Sequence, residues 1–236
     1  MATLAKRWKS VSAAMVAGAL VISGCSAAER HRSTASPTTA TPSRTSRPPL
    51  TAEQLKALAF KDSEVPQANS VPVQDPLPET QKPNFPPVSD ASCQRAFDVL
   101  HAETSAAHVI QIFNWKENLM GGGSTLASYE GVEAREAFRR LQDALKTCKS
   151  FTGVAWAGEY SAKITVEKAP DVGDEALSFH LIMPMPEVGG RDEHHVFVRV
   201  GDATAHFTEL NLGQKAQFPV DLVKQQVDRL SSAQHR

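Results

Sequence analysis

Histidines with nearby carboxylates are the residues of this chain best suited to chemistry. Five of the eight histidines fall in its last third, and four of these lie in or beside predicted strands: His180, His194, His195 and His206. If the strands that carry them are neighbours, two or three imidazoles could approach one another, and Asp192 or Glu193 could add oxygen ligands for a metal ion. The alternative is that residues 192–194 form a solvated loop, while His180 and His206 pack or hydrogen-bond singly. We favour this alternative and therefore expect neither a metal nor a cofactor.

The motifs of the common enzyme classes are missing from the sequence. It contains no Gly-x-Ser-x-Gly, Ser-x-x-Lys, His-Glu-x-x-His or Cys-x-x-Cys pattern and no Walker loop. This disfavours common hydrolases, penicillin-binding enzymes, zinc peptidases and thiol oxidoreductases. We therefore predict a protein that is not an enzyme. The alternative is an enzyme whose active site is built from dispersed residues.

A small set of residues is suited to contact a ligand. Arg199 lies beside His195 and Phe197 on a predicted strand, where it could meet an anionic ligand; a solvated arginine is the alternative. Trp115 and Trp156 lie in or beside predicted strands, where aromatic side chains either fill the core or stack on a sugar or an apolar ligand at the edge of a groove. The candidate ligand-binding residues are therefore Arg199, His195, Phe197 and Trp115.

The amino terminus has the three parts of a secretory signal. A basic start is followed by an apolar run at residues 11–22, which is shorter and richer in small residues than a membrane-spanning helix of about 20 apolar residues. The run ends in Ile22-Ser23-Gly24-Cys25, which resembles a bacterial lipobox. In proteins with that motif the signal is cut before the cysteine and the thiol is lipidated; an ordinary signal peptide with an incidental cysteine is the alternative. We predict a signal peptide at residues 1–24, lipidation of Cys25 and anchoring to the outer face of the cell membrane.

The lipid on Cys25 would also explain why the chain has three cysteines. Cys93 and Cys148 then remain as an even pair, and outside the cytoplasm a disulfide is the usual state of such a pair. Each of the two cysteines falls on the apolar stripe of a predicted helix, at residues 89–100 and 130–149. We predict a Cys93–Cys148 disulfide that joins these helices.

Two segments of low hydrophobicity precede the folded body. Residues 25–49 are rich in Ser, Thr, Pro and Ala and are predicted to form a disordered tether; a glycosylated stalk is the alternative. Within residues 50–89, a short amphipathic helix is predicted at 50–60, because Thr51 and Gln54 can form a capping box. This helix either docks on the main domain, which we favour, or binds a partner. Residues 62–89 are rich in proline and predicted to be extended.

Residues 90–236 have the periodicities of one folded domain. Besides the two cysteine-bearing helices, a last helix follows Pro219. Strands are predicted at 108–115, 125–129, 151–157, 160–167, 176–183, 195–200 and 203–210. Their short connections imply antiparallel neighbours. The predicted fold class is α+β: a twisted antiparallel β-sheet with helices packed mainly on one face and one disulfide, which leaves the other face, or a groove between sheet and helix, for function.

Five local features between roughly residues 50 and 233 occur together in one known family. They are Ser-Asp-x-x-Cys at the start of a helix, the Ala-rich helix that ends in Cys148, the turn at 173–176, the hairpin at 198–202 and the helix after Pro219. In order and spacing they resemble the PknH-like extracellular sensor domain of mycobacterial receptor kinases and of many actinobacterial lipoproteins. The resemblance implies a twisted antiparallel sheet with flanking helices and a ligand-binding cleft, and no catalytic residues. Kinase-linked members are thought to hold two disulfides, whereas this chain has one cysteine pair and no kinase domain.

Charge and architecture together indicate the kind of function. A net charge of −1 and the absence of a basic stripe give no electrostatic case for nucleic acid. We predict a lipid-anchored extracytoplasmic binding or sensor-like module, whose partner is the membrane and an unknown envelope ligand or protein. One alternative is an envelope enzyme with a dispersed active site. Another is a protein-interaction domain that uses the helix at 50–60 or the apolar loop at 183–186.

Overall fold

The computed structural model describes residues 48–81 and 84–235. The predicted signal peptide, the predicted lipidation of Cys25 and nearly all of the predicted tether at 25–49 lie outside these ranges. Among the described residues, no helix combines the length and the apolar character that crossing a bilayer requires.

The described residues form four α-helices. They are α1 (Ala52–Leu58), α2 (Ala91–Leu100), α3 (Glu133–Thr147) and α4 (Val220–Gln234). The predicted capping box opens α1: Gln54 N donates to Thr51 Oγ1, and Thr51 N donates to Gln54 Oε1. Asp90 caps α2 by accepting hydrogen bonds from two amides of its first turn. Pro219 directly precedes α4, as the sequence predicts.

Nine strands form a single antiparallel sheet within the described part of the chain. They are β1 (Ala68–Ser70), β2 (Val73–Gln74), β3 (Ala107–Trp115), β4 (Gly122–Ser128), β5 (Ser150–Ala155), β6 (Gly158–Glu167), β7 (Glu175–Met183), β8 (Arg191–Val200) and β9 (Ala203–Leu212). The strand order is β1-β3-β4-β9-β8-β7-β6-β5, and β2 also pairs with β3. All strands from β5 to β9 are joined by short connections to a neighbour in the sheet, so this half is a simple meander.

The alternation of side chains along β8 defines the two faces of the sheet. Val196, Val198 and Val200 point to one face, which we call the α4 face, where α1 and α4 pack. Phe197 points to the other face, which we call the α3 face, and its ring lies 6.2 Å from that of Phe138 in α3. Both sides of the central strand are therefore apolar, and two helices cover each side.

The predicted α+β class, antiparallel sheet and disulfide are confirmed. The helices are more evenly divided than expected, because the α3 face carries α2 and α3 and the α4 face carries α1 and α4. The prediction of a solvated loop at residues 192–194 is wrong. β8 begins at Arg191, and these residues pair with β7 and β9 on both sides.

The disulfide joins α2 to the end of α3. Cys93 and Cys148 are both completely buried, with an S–S distance of 2.02 Å and a Cα–Cα distance of 4.9 Å. Both sulfurs lie in the cluster that packs the two helices against the α3 face. The apolar stripes of the two helices thus face each other, as the positions of the cysteines predict.

The helix predicted at residues 50–60 is present as α1 and packs on the α4 face. Leu55 is completely buried in the core of this face. Just after α1, the ring of Phe60 lies 6.0 Å from that of Phe113, and the guanidinium of Arg229 lies 4.5 Å above it. The buried amide of Gln111 donates to Phe60 O and Val71 O, which ties this segment to β3. Docking on the domain accounts for the apolar side of α1.

Candidate functional site

A group of polar side chains crosses the α4 face of the sheet, and we call it the polar row. It comprises Glu167, Ser178, His180, Asp192, His194 and Glu209. His194 on β8 stands directly opposite His180 on β7 and Glu209 on β9. The antiparallel ladder therefore brings together side chains from four strands that are far apart in the sequence.

His194 is neutral and has a defined tautomer. The amide of Phe218 donates to His194 Nδ1 at 3.0 Å, so the ring proton resides on Nε2. That Nε2 lies 3.1 Å from Glu167 Oε1 and 2.9 Å from Ser178 Oγ. Burial, together with the charge of His180, lowers the pKa of His194 to about 4. The ring is thus a fixed donor toward Glu167 throughout the neutral pH range.

His180 lies between two carboxylates. Its Nδ1 is 2.6 Å from Asp192 Oδ1, and its Nε2 makes an ion-pair contact of 3.2 Å with Glu167 Oε2. Each of its ring nitrogens therefore faces a carboxylate. Burial alone would raise the pKa of Glu167, but hydrogen bonds from Lys215 and Ser178 and the charge of His180 lower it to about 2. The result is a compact network of alternating charges.

Residues 213–219, which connect β9 to α4, cover the polar row, and we call them the covering segment. Lys215 Nζ donates to Glu167 Oε2 at 2.9 Å, and the Phe218 amide bonds to His194. The completely buried Phe218 ring packs edge-on against Phe113, with 5.3 Å between the ring centroids. The two histidines of the row are therefore almost fully buried, at 4% exposure for His180 and 1% for His194, whereas Glu167 keeps 27% of its side chain exposed.

Glu167, His180 and His194 are close enough together to suggest a metal site, but their hydrogen bonds argue against one. Because Nδ1 of His194 accepts the Phe218 amide, Nε2 carries the proton and has no free lone pair for a metal. Glu167 is already neutralised by Lys215 and His180. The cluster is best described as a network of hydrogen bonds and ion pairs.

We expect zinc to leave the protein unchanged, since binding would require a new His194 tautomer and the loss of the Phe218 hydrogen bond. Titration of the full chain with Zn²⁺ at pH 7 should give no stoichiometric heat and no shift in Tm. A His180→Gln variant serves as the control for surface binding. A stoichiometric heat that disappears in this variant would contradict the prediction.

The far end of the row is a buried carboxyl group with a raised pKa. Trp115 Nε1 donates to Glu209 Oε2 at 2.5 Å, and Asn118 Nδ2 donates to Oε1 at 2.5 Å. Burial outweighs these two hydrogen bonds and raises the pKa of Glu209 to about 7. Gly122 makes the contact possible, since a Cβ there would lie 2.7 Å from Glu209 Oε2.

A second pair of histidines lies on the α3 face. His195 Nδ1 and His206 Nε2 are 3.0 Å apart, and the His195 ring stacks on Phe179. Burial and the neighbouring His195 lower the pKa of His206 well below its usual value. Burial alone would raise the pKa of Glu193, but contacts with His195 and Arg191 lower it. The four histidines thus form two pairs, one on each face, with no common centre.

The four predicted ligand-binding residues do not converge on one site. Trp115 lies on the α4 face, whereas His195 and Phe197 are buried on the α3 face. Arg199 is held by Asp174 at 2.8 Å and Glu175 at 2.6 Å, so its charge is matched within the protein. These residues stabilise the fold in the structure, and none of them faces an open hollow.

Sequence reasoning did not single out Glu209, Glu167 or Lys215. For Glu209 a signal was present, because Ala203, Ala205 and Phe207 occupy the same side of β9 at a period of two. A carboxylate that continues this apolar series is expected to be buried. For Glu167 and Lys215 there was no comparable signal, since their contact depends on the path of the covering segment.

An open hollow lies at the outer edge of the sheet, beside β5 and β6. It has a volume of about 470 Å³ and is lined by Pro87, Ser89, Thr152, Gly153, Val154, Glu159, Tyr160 and Ser161. Trp156 in the adjoining turn is 86% exposed, and its ring lies 5.2 Å from that of Phe85. Among the described residues, this is the place where a large aromatic side chain stands in solvent next to a concave surface.

The fold is similar to that of a known extracellular domain. No protein-family model matches the chain, and no curated protein matches it in sequence. The extracellular domain of PknH from Mycobacterium tuberculosis is similar in structure, with a TM-score of 0.58 and 15% sequence identity over 80% of this chain and 99% of that one. A STAR-related lipid transfer protein from Xanthomonas axonopodis matches over 56% of this chain and 96% of its own length, with 11% identity and a TM-score of 0.28.

Proposed function

We propose that this protein is a lipid-anchored, extracytoplasmic binding or sensor module on the outer face of the cell membrane. Its anchor would be the lipidated Cys25, and residues 25–49 would hold the domain at a distance from the bilayer. The shared fold with the extracellular domain of a receptor kinase supports this proposal, as does the buried Cys93–Cys148 disulfide, which is typical of an oxidising compartment. The ligand or protein partner would be a component of the cell envelope.

One observation carries the choice of a binding module over an enzyme. His194 and Glu167, whose pKa values are lowered, are hydrogen-bonded by residues 213–219 and matched by internal partners. An active site instead needs titratable groups that converge on a space open to substrate. The open hollow beside β5 and β6 offers aromatic rings and hydroxyls, which suit binding. An envelope enzyme remains the alternative, and the buried Glu209 carboxyl with its raised pKa is the observation that favours it.

The anchor is tested by expressing the full chain in a bacterial host that processes lipoproteins. The wild-type protein should sediment with membranes, resist extraction by high salt and dissolve in detergent, and its mature chain should begin at an acylated Cys25. A Cys25→Ala variant should lose the acyl group and leave the membrane fraction after processing. Ser26→Ala is the matched control and should behave as wild type. A mature wild-type protein that is water-soluble and unacylated would refute the proposal.

A further inference from the structure

The helices and the covering segment leave one part of the α4 face open. Around the β5–β6 turn, four side chains that point to this face are exposed: Thr152, Val154, Glu159 and Ser161. Their neighbours in the sequence, Phe151 and Ala162, are buried on the α3 face, so these two strands are half covered. This is the portion of the sheet that the fold leaves free for a ligand.

The walls of the hollow at this edge are fixed by hydrogen bonds and by packing. Ser89 N donates to Thr152 O at 2.9 Å, and Thr152 N donates to Ser89 Oγ at 2.8 Å, which attaches the chain before α2 to the edge of β5. The Tyr160 ring lies across Gly153, where a Cβ would come within 2.8 Å of it. A volume of about 470 Å³ is within the range of small-molecule sites, so the hollow is preformed and large enough for a ligand.

Trp156 provides an exposed aromatic surface in the turn that joins β5 to β6, beside the residues that line this hollow. Its ring is 86% exposed and meets Phe85 edge-to-face, at 5.2 Å and an interplanar angle of 86°. Phe85 precedes Pro87 and Ser89 of the hollow by a few residues, and Trp156 follows Val154 in the same way. This contact with Phe85 leaves most of the indole surface exposed to solvent, where it can stack on a ligand.

The lining of the hollow selects the chemistry of its ligand. It contains the hydroxyl groups of Ser89, Thr152, Tyr160 and Ser161 and the carboxylate of Glu159, and it contains no Lys, Arg or His. An anionic ligand would therefore find no counter-charge there. Hydroxyls and one carboxylate complement a neutral ligand that carries many hydroxyl groups, and an exposed indole complements a flat apolar surface. A pyranose ring has both of these properties.

We propose that this hollow binds a neutral saccharide, with one sugar ring stacked on Trp156 and its hydroxyls bonded to the lining residues. The inference rests on the proposed function only in taking the protein to be a binding module, and it is independent of the lipid anchor. Glu159 would accept hydrogen bonds from two sugar hydroxyls. Ser161 and Thr152 would bind the adjacent hydroxyls of the sugar. The expected ligand class is therefore a segment of a neutral polysaccharide of the cell envelope.

The test uses the full chain in detergent and a panel of neutral hexasaccharides made of glucose, mannose, galactose or arabinose units, followed by calorimetry and tryptophan fluorescence. We expect at least one saccharide to bind with a blue shift of the indole emission. Trp156→Ala should weaken this binding by about tenfold or more, and Glu159→Gln should weaken it to a smaller degree. Leu119→Ala is the matched control, because Leu119 is equally exposed, at 98%, on a different turn, and its replacement should change nothing.

Several outcomes would overturn the inference. These are the absence of binding to every neutral saccharide at millimolar concentration, equal binding by the Trp156→Ala and wild-type proteins, or binding of apolar peptides at Trp156 in place of sugars. Membrane fractionation of the same variants separates this result from the anchor. If the saccharides fail while the protein remains acylated at Cys25, the ligand class is wrong and the proposed anchor stands.

Discussion

Removing the disulfide by Cys93→Ala with Cys148→Ala is expected to lower the free energy of unfolding by about 4 kcal/mol. The bridge closes a loop with a sequence separation of 55 residues, and the chain-entropy relation gives a stabilisation of this size for such a loop. This is a large share of the 5–15 kcal/mol that is typical of a folded domain. Urea denaturation measures the loss, and reduction of the wild-type protein should add the mass of two hydrogens.

Cys25→Ala is the control for this experiment, because Cys25 takes no part in the Cys93–Cys148 disulfide. It should leave the urea midpoint of the domain unchanged. A double alanine variant with a stability within about 1 kcal/mol of wild type would show that α2 and α3 are held by packing alone. Two free thiols in protein purified from an oxidising compartment would show that the Cys93–Cys148 disulfide does not form.

The second large effect is a dependence of stability on pH that single substitutions change in opposite directions. His194 and His206 have folded pKa values below the usual 6.5, so the stability they contribute is present above pH 6.5 and is lost as the pH falls. Glu209 has a folded pKa of about 7 against 4.5, so its contribution is present below pH 4.5 and is lost as the pH rises. Between pH 4.5 and 6.5, unfolding therefore takes up protons at the two histidines and releases a proton at Glu209.

Uptake at two histidines against release at one carboxyl predicts that the wild-type free energy of unfolding falls as the pH is lowered from 6.5 toward 4.5, where each whole proton is worth about 1.4 kcal/mol per pH unit. Glu209→Gln removes the opposing proton and should make this fall steeper. His194→Gln retains an acceptor for the Phe218 amide but takes up no proton, so it should make the fall shallower. Carboxylates with lowered pKa values, such as Glu167, contribute to the pH dependence of stability mainly below pH 4.5.

Chemical denaturation at several pH values measures these slopes. His206→Gln is the matched control on the other face and should flatten the profile as His194→Gln does, although it does not touch the covering segment. The same slope in the wild-type protein and in all three variants would show that these groups are hydrated in the folded state, contrary to their burial.

Periodicity in the sequence predicted the local elements well. The capping box of Thr51 and Gln54 and the stripe of α3 were recognisable because their signals extend over a few neighbouring residues. The beginning of β8 was missed, since Arg191 and the polar residues after it resemble a loop when they are read alone. Trp156 could be assigned to the core or to a groove edge, and only its position in the β5–β6 turn exposed it to solvent.

The sequence by itself determined the α+β class, the alternation of the strands and the pairing of Cys93 with Cys148. These depend on helical and strand periods and on a cysteine count, and all of them can be read along the chain. The tertiary structure alone decided which polar groups meet. The order of β9, β8 and β7 places Glu209, His194 and His180 side by side, and residues 213–219 fold back over them. Contacts between strands have no local period, so the closed polar row and the open hollow became visible only once the sheet was assembled.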